Sequence, residues 1–245
     1  MNHKEQTARE KLIVALDVDT AEEAVTLTKK LTPYAAFFKV GMQLFYSHGP
    51  EIIRIIKDQG AKVFLDLKLH DIPNTVGQAA RVLAGLGADI INVHAAGGVD
   101  MMQAAANAVR QRAYSLGIPA PMIISVTVLT SIDQRIFEQE LGMPGTIQDK
   151  VKKWAVMTQK AGLDGVVASP REIQIIREAC GTAFKIITPG IRPSWSVSGD
   201  QKRIMTPAKA IQQGTSYLVV GRPITGDKDP AAAAQRILSE ITEVL

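Results

Sequence analysis

Residues Ala61–Leu86 read AKVFLDLKLHDIPNTVGQAARVLAGL. The opening seven, Ala61–Leu67, are a nearly continuous apolar run of strand length. Pro73 then precedes NTVGQAARVLAGL, and proline is favoured at the start of a helix. One strand followed by one helix is therefore written into 26 residues. The same unit recurs outward in both directions. Further strand-like runs are Lys11–Val18, Phe37–Gly41, Asp89–His94, Met122–Val128, Asp164–Ala168, Phe184–Thr188 and Tyr217–Val220. Most are apolar throughout rather than alternating, as expected of strands covered on both faces.

Helical signals fill the gaps. Thr20 precedes AEEAVTLTKKL with Glu23 three residues on, the spacing of a capping box, and Pro50 precedes EIIRIIKDQ. Val99–Ser115, Thr146–Ala161, Pro170–Ala179, Pro207–Gln213 and Pro230–Val244 complete the set. Eight strand–helix units predict an α/β fold, the (β/α)8 TIM barrel, as a single domain over residues 1–245. Residues 1–10 read as a polar N-terminal extension open to disorder. Periodicity does not report closure, so a doubly wound open sheet fits the same pattern. Two connections are long. Leu129–Gly145 is expected to hold an extra helix after strand five, and Pro189–Arg203 is rich in Gly, Ser and Pro after strand seven. In a barrel both lie on the C-terminal face, where the chemistry is expected.

Composition narrows the function. Lys and Arg number 28 against 24 Asp and Glu, a net charge of +4, in a chain that is 46% hydrophobic and 21% charged. Such a chain builds a full core, so disorder is excluded as its main state. No apolar run approaches the ~18 residues that span a bilayer, which argues against a membrane partner. The polar start, MNHKEQTARE, lacks a secretory core and predicts a cytoplasmic protein. Cys180 is the single cysteine and is expected to be inert, and the four histidines form no zinc-type cluster in sequence. His3 and His48 are expected at the solvated surface, and Met101, Met102 and Trp154 in packing. The positive charges are dispersed and only 5% of residues are aromatic, which fits a small anionic substrate better than nucleic acid.

Polar residues gather at the C-terminal ends of the runs: Asp17, Lys39, Asp66, Lys68, Asp71, His94, Thr127 and Thr130. Strand alternation places Asp66 and Lys68 on one face, about 7 Å apart along the backbone at ~3.3 Å per residue. Carboxylates beside a lysine favour its ammonium form. Lys68 thus reads as a cation and proton donor, whereas a Schiff-base lysine needs an environment that frees the amine. A carboxylate such as Asp66 would disfavour an anionic substrate group set against it. Loss of that group as CO2 relieves the repulsion, and the lysine stabilises the carbanion left behind. No P-loop, no G-x-G-x-x-G after strand one and no H-E-x-x-H competes with this reading. Near the far end, VGRPIT (Val220–Thr225) and TPGIR (Thr188–Arg192) place glycine and arginine after strands eight and seven, the usual phosphate site of such barrels.

The run Asp66–Thr75, DLKLHDIPNT, resembles the D-x-K-x-x-D-I-P-x-T signature of the orotidine 5′-phosphate decarboxylase family. The likeness extends in order to Ala15-Leu16-Asp17, Phe38–Gly41, Asn92–Ala96, Leu129-Thr130-Ser131, Thr188–Arg192 and Val220-Gly221-Arg222. It implies a homodimer of barrels with shared active sites that converts orotidine 5′-phosphate to UMP and CO2 in pyrimidine biosynthesis, with no metal or organic cofactor. By position, Lys68 protonates C6 of the pyrimidine, Asp66 lies against the departing carboxylate, and Lys39 belongs to the same charge array. Asp71 completes the array across the dimer, with Thr75 reaching the ribose there. Asp17 and Lys39 contact ribose hydroxyls, Thr130 lies beside the pyrimidine, and Arg192, Gln201, Gly221 and Arg222 hold the phosphate. His70 and His94 are expected to be structural, since Lys68 already supplies the proton.

Three rivals are weighed. Sugar-phosphate decarboxylases and hexulose-phosphate synthases of the same suprafamily share D-x-K-x-x-D but use Mg2+ held by a glutamate at the end of strand two. Here that position is Lys39, which repels a metal. A class I aldolase would form an adduct on Lys68. A nucleotide sensor would need the anion site but not the internal charges.

Overall fold

The computed structural model describes residues 2–196 and 205–245. Eight parallel strands pair in sequence order and close: β1 Leu12–Ala15, β2 Phe37–Gly41, β3 Lys62–Leu69, β4 Ile90–His94, β5 Met122–Val126, β6 Gly165–Val167, β7 Lys185–Thr188 and β8 Tyr217–Val220. Leu12 of β1 aligns with Leu218 of β8, which completes the ring and excludes the open sheet. The helices are α1 His3–Lys11, α2 Ala21–Leu31, α3 Met42–His48, α4 Glu51–Lys57, α5 Pro73–Gly85 and α6 Gly98–Leu116. After them come α7 Ile147–Lys160, α8 Ile173–Cys180, α9 Pro207–Gln212, the one-turn α10 Arg222–Thr225 and α11 Pro230–Glu243. Among the described residues, no helix is long and apolar enough to cross a membrane.

Side-chain alternation along each strand sorts the core into two layers. Leu12, Val14, Phe38, Val40, Val63 and Leu65 point outward into the layer beneath the helices. Ile13, Phe37, Phe64, Ile90, Ile124, Ile187 and Val219 point into the barrel and fill its lower part. Two residues further up β2, β3 and β4, the inward positions become Lys39, Asp66 and Asn92. Polarity therefore enters the barrel only near its C-terminal rim. Gly165 is required where β6 meets β7, because a Cβ there would lie 2.2 Å from the Lys185 carbonyl oxygen.

Residues 2–10 correct the expectation of an extension open to disorder. Asn2 Oδ1 accepts the Glu5 amide (2.9 Å) and Glu5 Oε2 accepts the Asn2 amide (2.8 Å), a capping box that opens α1. Ala8 is buried, and Arg9 Nε donates to the Thr32 carbonyl at 2.8 Å, tying α1 to the end of α2. The connection after β5 holds a five-residue π-helical turn, Ile136–Glu140, in place of an ordinary helix. Its loop is closed onto α7 by Gln134, whose side chain donates to the Gly145 carbonyl and accepts the Ile147 amide. The segment from Pro170 breaks into a 3-10 turn, Pro170–Glu172, before α8.

Candidate active site

β2 and β3 run side by side with Gly41 opposite Asp66, so the upper inward residues of both strands meet at the rim. Lys39 Nζ lies 2.9 Å from Asp17 Oδ1 and 3.5 Å from Asp66 Oδ2. Lys68 Nζ lies 2.7 Å from Asp66 Oδ1. The four side chains form an alternating line, Asp17–Lys39–Asp66–Lys68. Burial opposes the charge on Lys39, but Asp66 and Asp17 outweigh it and hold the ammonium above the ordinary lysine range. Burial likewise opposes the charge on Asp66, and the Lys39 and Lys68 ammoniums with bonds from Lys68 and Asn92 hold its carboxyl below the usual range. Asp66 is thus fixed as an anion although its side chain is only 13% exposed.

The route by which Lys68 reaches Asp66 differs from the simple alternation that the sequence suggests. β3 loses register with β4 between Leu65 and Leu69, and Lys68 takes φ +52°, the only non-glycine with positive φ among the described residues. Its amide donates to Asn92 Oδ1 at 2.8 Å, while Asn92 Nδ2 donates to Asp66 Oδ1 at 2.6 Å. A bulge held by Asn92 turns the ammonium back onto the carboxylate. Asn92 is fully buried and is the functional residue that the sequence reading passed over as a candidate. Its signal is a lone amide in the apolar run IINVH, where a buried polar group needs a partner.

A cavity of about 310 Å3 opens against this line. Lys39, Asp66 and Lys68 form its charged side, and Phe64, Val126, Val128, Val167 and Val219 form an apolar floor. Thr130 and Ser131 line it as well, and the resemblance implies that Thr130 lies beside the pyrimidine. A wider groove of about 810 Å3 lies at the opposite mouth, beside Lys11, Arg177 and Lys185. Barrel chemistry belongs to the C-terminal face, and the charge line is there.

A sequence model described as the Orotidine 5′-phosphate decarboxylase / HUMPS family matches residues 10–237. The chain belongs to that family. It is similar to the orotidine 5′-phosphate decarboxylase of Moorella thermoacetica, 55% identical over 97% of this chain and 94% of that one. The corresponding protein of Syntrophomonas wolfei is 52% identical over 96% and 99%. The crystal structure of orotidine 5′-phosphate decarboxylase from Lactobacillus acidophilus superposes with a TM-score of 0.82 at 40% identity, covering 95% of this chain and 99% of that one.

The remaining residues of the family signature fall outside the cavity. Asp71 is exposed, and its Oδ1 accepts the amide of Ile72 at 2.7 Å. Thr75 is exposed on the first turn of α5. Neither approaches Lys68 as an ion-pair or cavity partner within the chain. The residues expected at the phosphate end follow β7 and β8. Gly221 follows β8 and backs onto β1, where a Cβ would lie 3.4 Å from Ala15 Cβ and 3.8 Å from Asp17 Oδ2. Arg222 opens α10 and is exposed. Arg192 is buried, its amide donates to the Met205 carbonyl at 2.9 Å, and its Nη1 donates to the Ile191 carbonyl at 3.0 Å. Gln201 lies outside the described residues.

His70 and His94 stack with ring centroids 5.1 Å apart, and His94 meets the edge of Trp154. His94 Nδ1 accepts the Ala96 amide at 3.4 Å, a local cap at the end of β4. His48 is not a solvated surface residue. Its Nε2 accepts the Ala21 amide at 3.1 Å and caps the first turn of α2. Cys180 is buried, and burial raises its thiol above the ordinary range.

Proposed function

We propose that this protein decarboxylates orotidine 5′-phosphate to UMP and CO2, the step that yields UMP in pyrimidine biosynthesis. The observation that carries the reading is Lys68 Nζ at 2.7 Å from Asp66, itself 3.5 Å from Lys39, on the wall of a cavity with an apolar floor. The pyrimidine lies on that floor with Thr130 beside it. Its C6 carboxylate faces Asp66, whose ionised form is fixed by two ammoniums. The C6–carboxylate bond breaks with its electron pair left on C6, and CO2 departs. A proton from Lys68 Nζ forms the new C6–H bond, and the amine takes a proton back from water. Charge that is already in place needs little reorganisation as the carbanion forms, and such preorganisation is usually the largest catalytic contribution.

Asp17 and Lys39 hold ribose hydroxyls. Arg192, Gln201, Gly221 and Arg222 hold the phosphate, and binding energy from that unreactive group offsets the repulsion at the reacting end. Within one chain the line carries two carboxylates and two ammoniums. We place the active sites across a homodimer, where the partner subunit's Asp71 adds the next carboxylate and the partner subunit's Thr75 reaches the ribose. The exposure of both residues supports this placement. No cofactor is assigned a step, and a cytoplasmic setting is part of the same reading. The Mg2+-dependent sugar-phosphate alternative finds no support, since the relatives described above carry the decarboxylase name and the inward rim position of β2 is a lysine, Lys39.

The test is loss of orotidine 5′-phosphate absorbance in the presence of EDTA. Turnover that persists is the expected result. Turnover that appears only when Mg2+ is restored, or none at all, would overturn the proposal.

A further inference from the structure

The turn that leaves Arg192 carries an aromatic ring, Trp195. Ser196 donates through its amide (3.0 Å) and its hydroxyl (3.1 Å) to the Pro193 carbonyl, so Pro193–Ser196 is a closed turn. That turn presents Trp195, which is 37% exposed. An indole on a polar loop needs a reason, and here it is Arg236 of α11. The Arg236 guanidinium carbon sits 3.9 Å from the centre of the Trp195 ring. The same guanidinium donates through Nη2 to Asp227 Oδ2 at 3.1 Å, which fixes its plane. Asp227 in turn lies two residues after α10. Its amide donates to the Ile224 carbonyl at 3.2 Å, its Oδ1 accepts the Asp229 amide at 2.9 Å, and Asp229 caps α11.

The chain of contacts therefore joins two loops. One follows β7 and carries Arg192; the other follows β8 and carries Gly221 and Arg222. On the side of β7, Arg192 is located by backbone pairing with Met205. Trp195 supplies a second anchor, three residues on and on a different element. A cation over an indole at a partly exposed site contributes modestly, but an arginine locked by a carboxylate loses little further freedom on stacking. Two anchors fix the orientation of the segment between them in a way that one cannot.

We infer that Trp195, Arg236 and Asp227 form a strut that sets the spacing between Arg192 and Arg222, and so act as positioning residues for the phosphate end of the substrate. The inference rests on the proposed decarboxylase reading and adds to it residues that touch no substrate atom. Its signature is a change in KM confined to the phosphorylated substrate. Trp195→Leu should raise KM for orotidine 5′-phosphate about two- to five-fold, as expected for loss of an exposed cation–aromatic contact. kcat should be retained, and kcat/KM for the nucleoside orotidine should be unchanged. Arg236→Met should do the same, the double variant should add nothing further, and Trp195→Phe should restore most of the parental value.

An unaltered KM in Trp195→Leu and Arg236→Met would overturn the strut. So would an equal loss on orotidine, or additive effects in the double variant, since those mark general destabilisation. Parent protein inactive on orotidine 5′-phosphate would overturn the function, and the strut's role with it. An active parent with unaltered variants overturns the strut alone.

Discussion

A lysine in the left-handed region is strained, at a cost of about 1–3 kcal/mol, unless its surroundings over-determine the conformation. Lys68 at φ +52° is held at both ends, its amide by Asn92 and its ammonium by Asp66. The strain buys direction, because the bulge brings the amine back over the carboxylate that its own strand supplies. Lys68→Ala should abolish turnover and leave UMP binding measurable by calorimetry; turnover close to that of the parent would end the proton-donor role. Asn92→Ala removes one acceptor and one donor from buried partners, so a stability loss of about 1–3 kcal/mol is expected together with lower kcat. A urea titration and a steady-state assay check both halves, and an unchanged kcat would remove Asn92 from the positioning of Lys68. His94 gives a pH-dependent readout. Burial first, then His70 and Lys68, push it from 6.5 to about 4. Between those values the unfolded chain binds a proton that the folded chain refuses, so stability falls as pH drops from about 6.5 towards 4. His94→Asn should flatten that part of the curve by on the order of 1 kcal/mol, a figure discounted for the ring's partial exposure. Equal slopes in parent and variant between pH 7 and pH 5 would show that the ring titrates normally.

Strands and helices were legible because their order alone predicts the barrel, and every strand-like run became a strand. The ends moved for identifiable reasons. Asp89 and Asp164 begin apolar runs, yet each stops short of its strand and accepts an amide of the neighbouring one, Val63 at 2.7 Å and Ile123 at 2.8 Å. Helix α3 was invisible: seven residues follow Gly41, which offers no capping side chain. His48 looked solvated because its partner, the first amide of α2, is 27 residues away. The charge line was legible as residue types and not as geometry. Spacing put Asp66 and Lys68 on one face, but the register slip and the role of Asn92 depend on β4, which pattern within β3 cannot report. The glycine–arginine pair after β8 was legible from its place behind an apolar run, and it carries its own prediction. Arg222→Ala should raise KM for orotidine 5′-phosphate about 10- to 100-fold, the range for one charge-assisted contact, with kcat less affected. An unchanged KM would take α10 out of the phosphate site.

Asp71 and Thr75 of the DLKLHDIPNT run lie outside the cavity that Asp66 and Lys68 line, and the proposed completion of the site across a dimer turns on them. Asp71 is exposed on the turn into α5, and Ile72 beside it is 65% exposed, an apolar side chain next to an acid at the surface. A two-fold interface uses the same patch twice, so a residue that leaves its own site can enter the partner's, and the reverse. On this arrangement a site takes Lys68 from one chain and Asp71 from the other. Lys68→Ala and Asp71→Ala homodimers would each be nearly inactive, since both of their sites lack the same group. A mixed dimer is different: one of its sites carries both lesions and the other carries neither. With random exchange half of all dimers are mixed, so about a quarter of parental activity should return. The measurement is an assay of the two variants after unfolding and refolding together, with mixed dimers isolated by two distinct affinity tags. Isolated mixed dimers that remain as inactive as their parents would place Asp71 and Lys68 in the same chain's site, and the two exposed residues would then need another purpose.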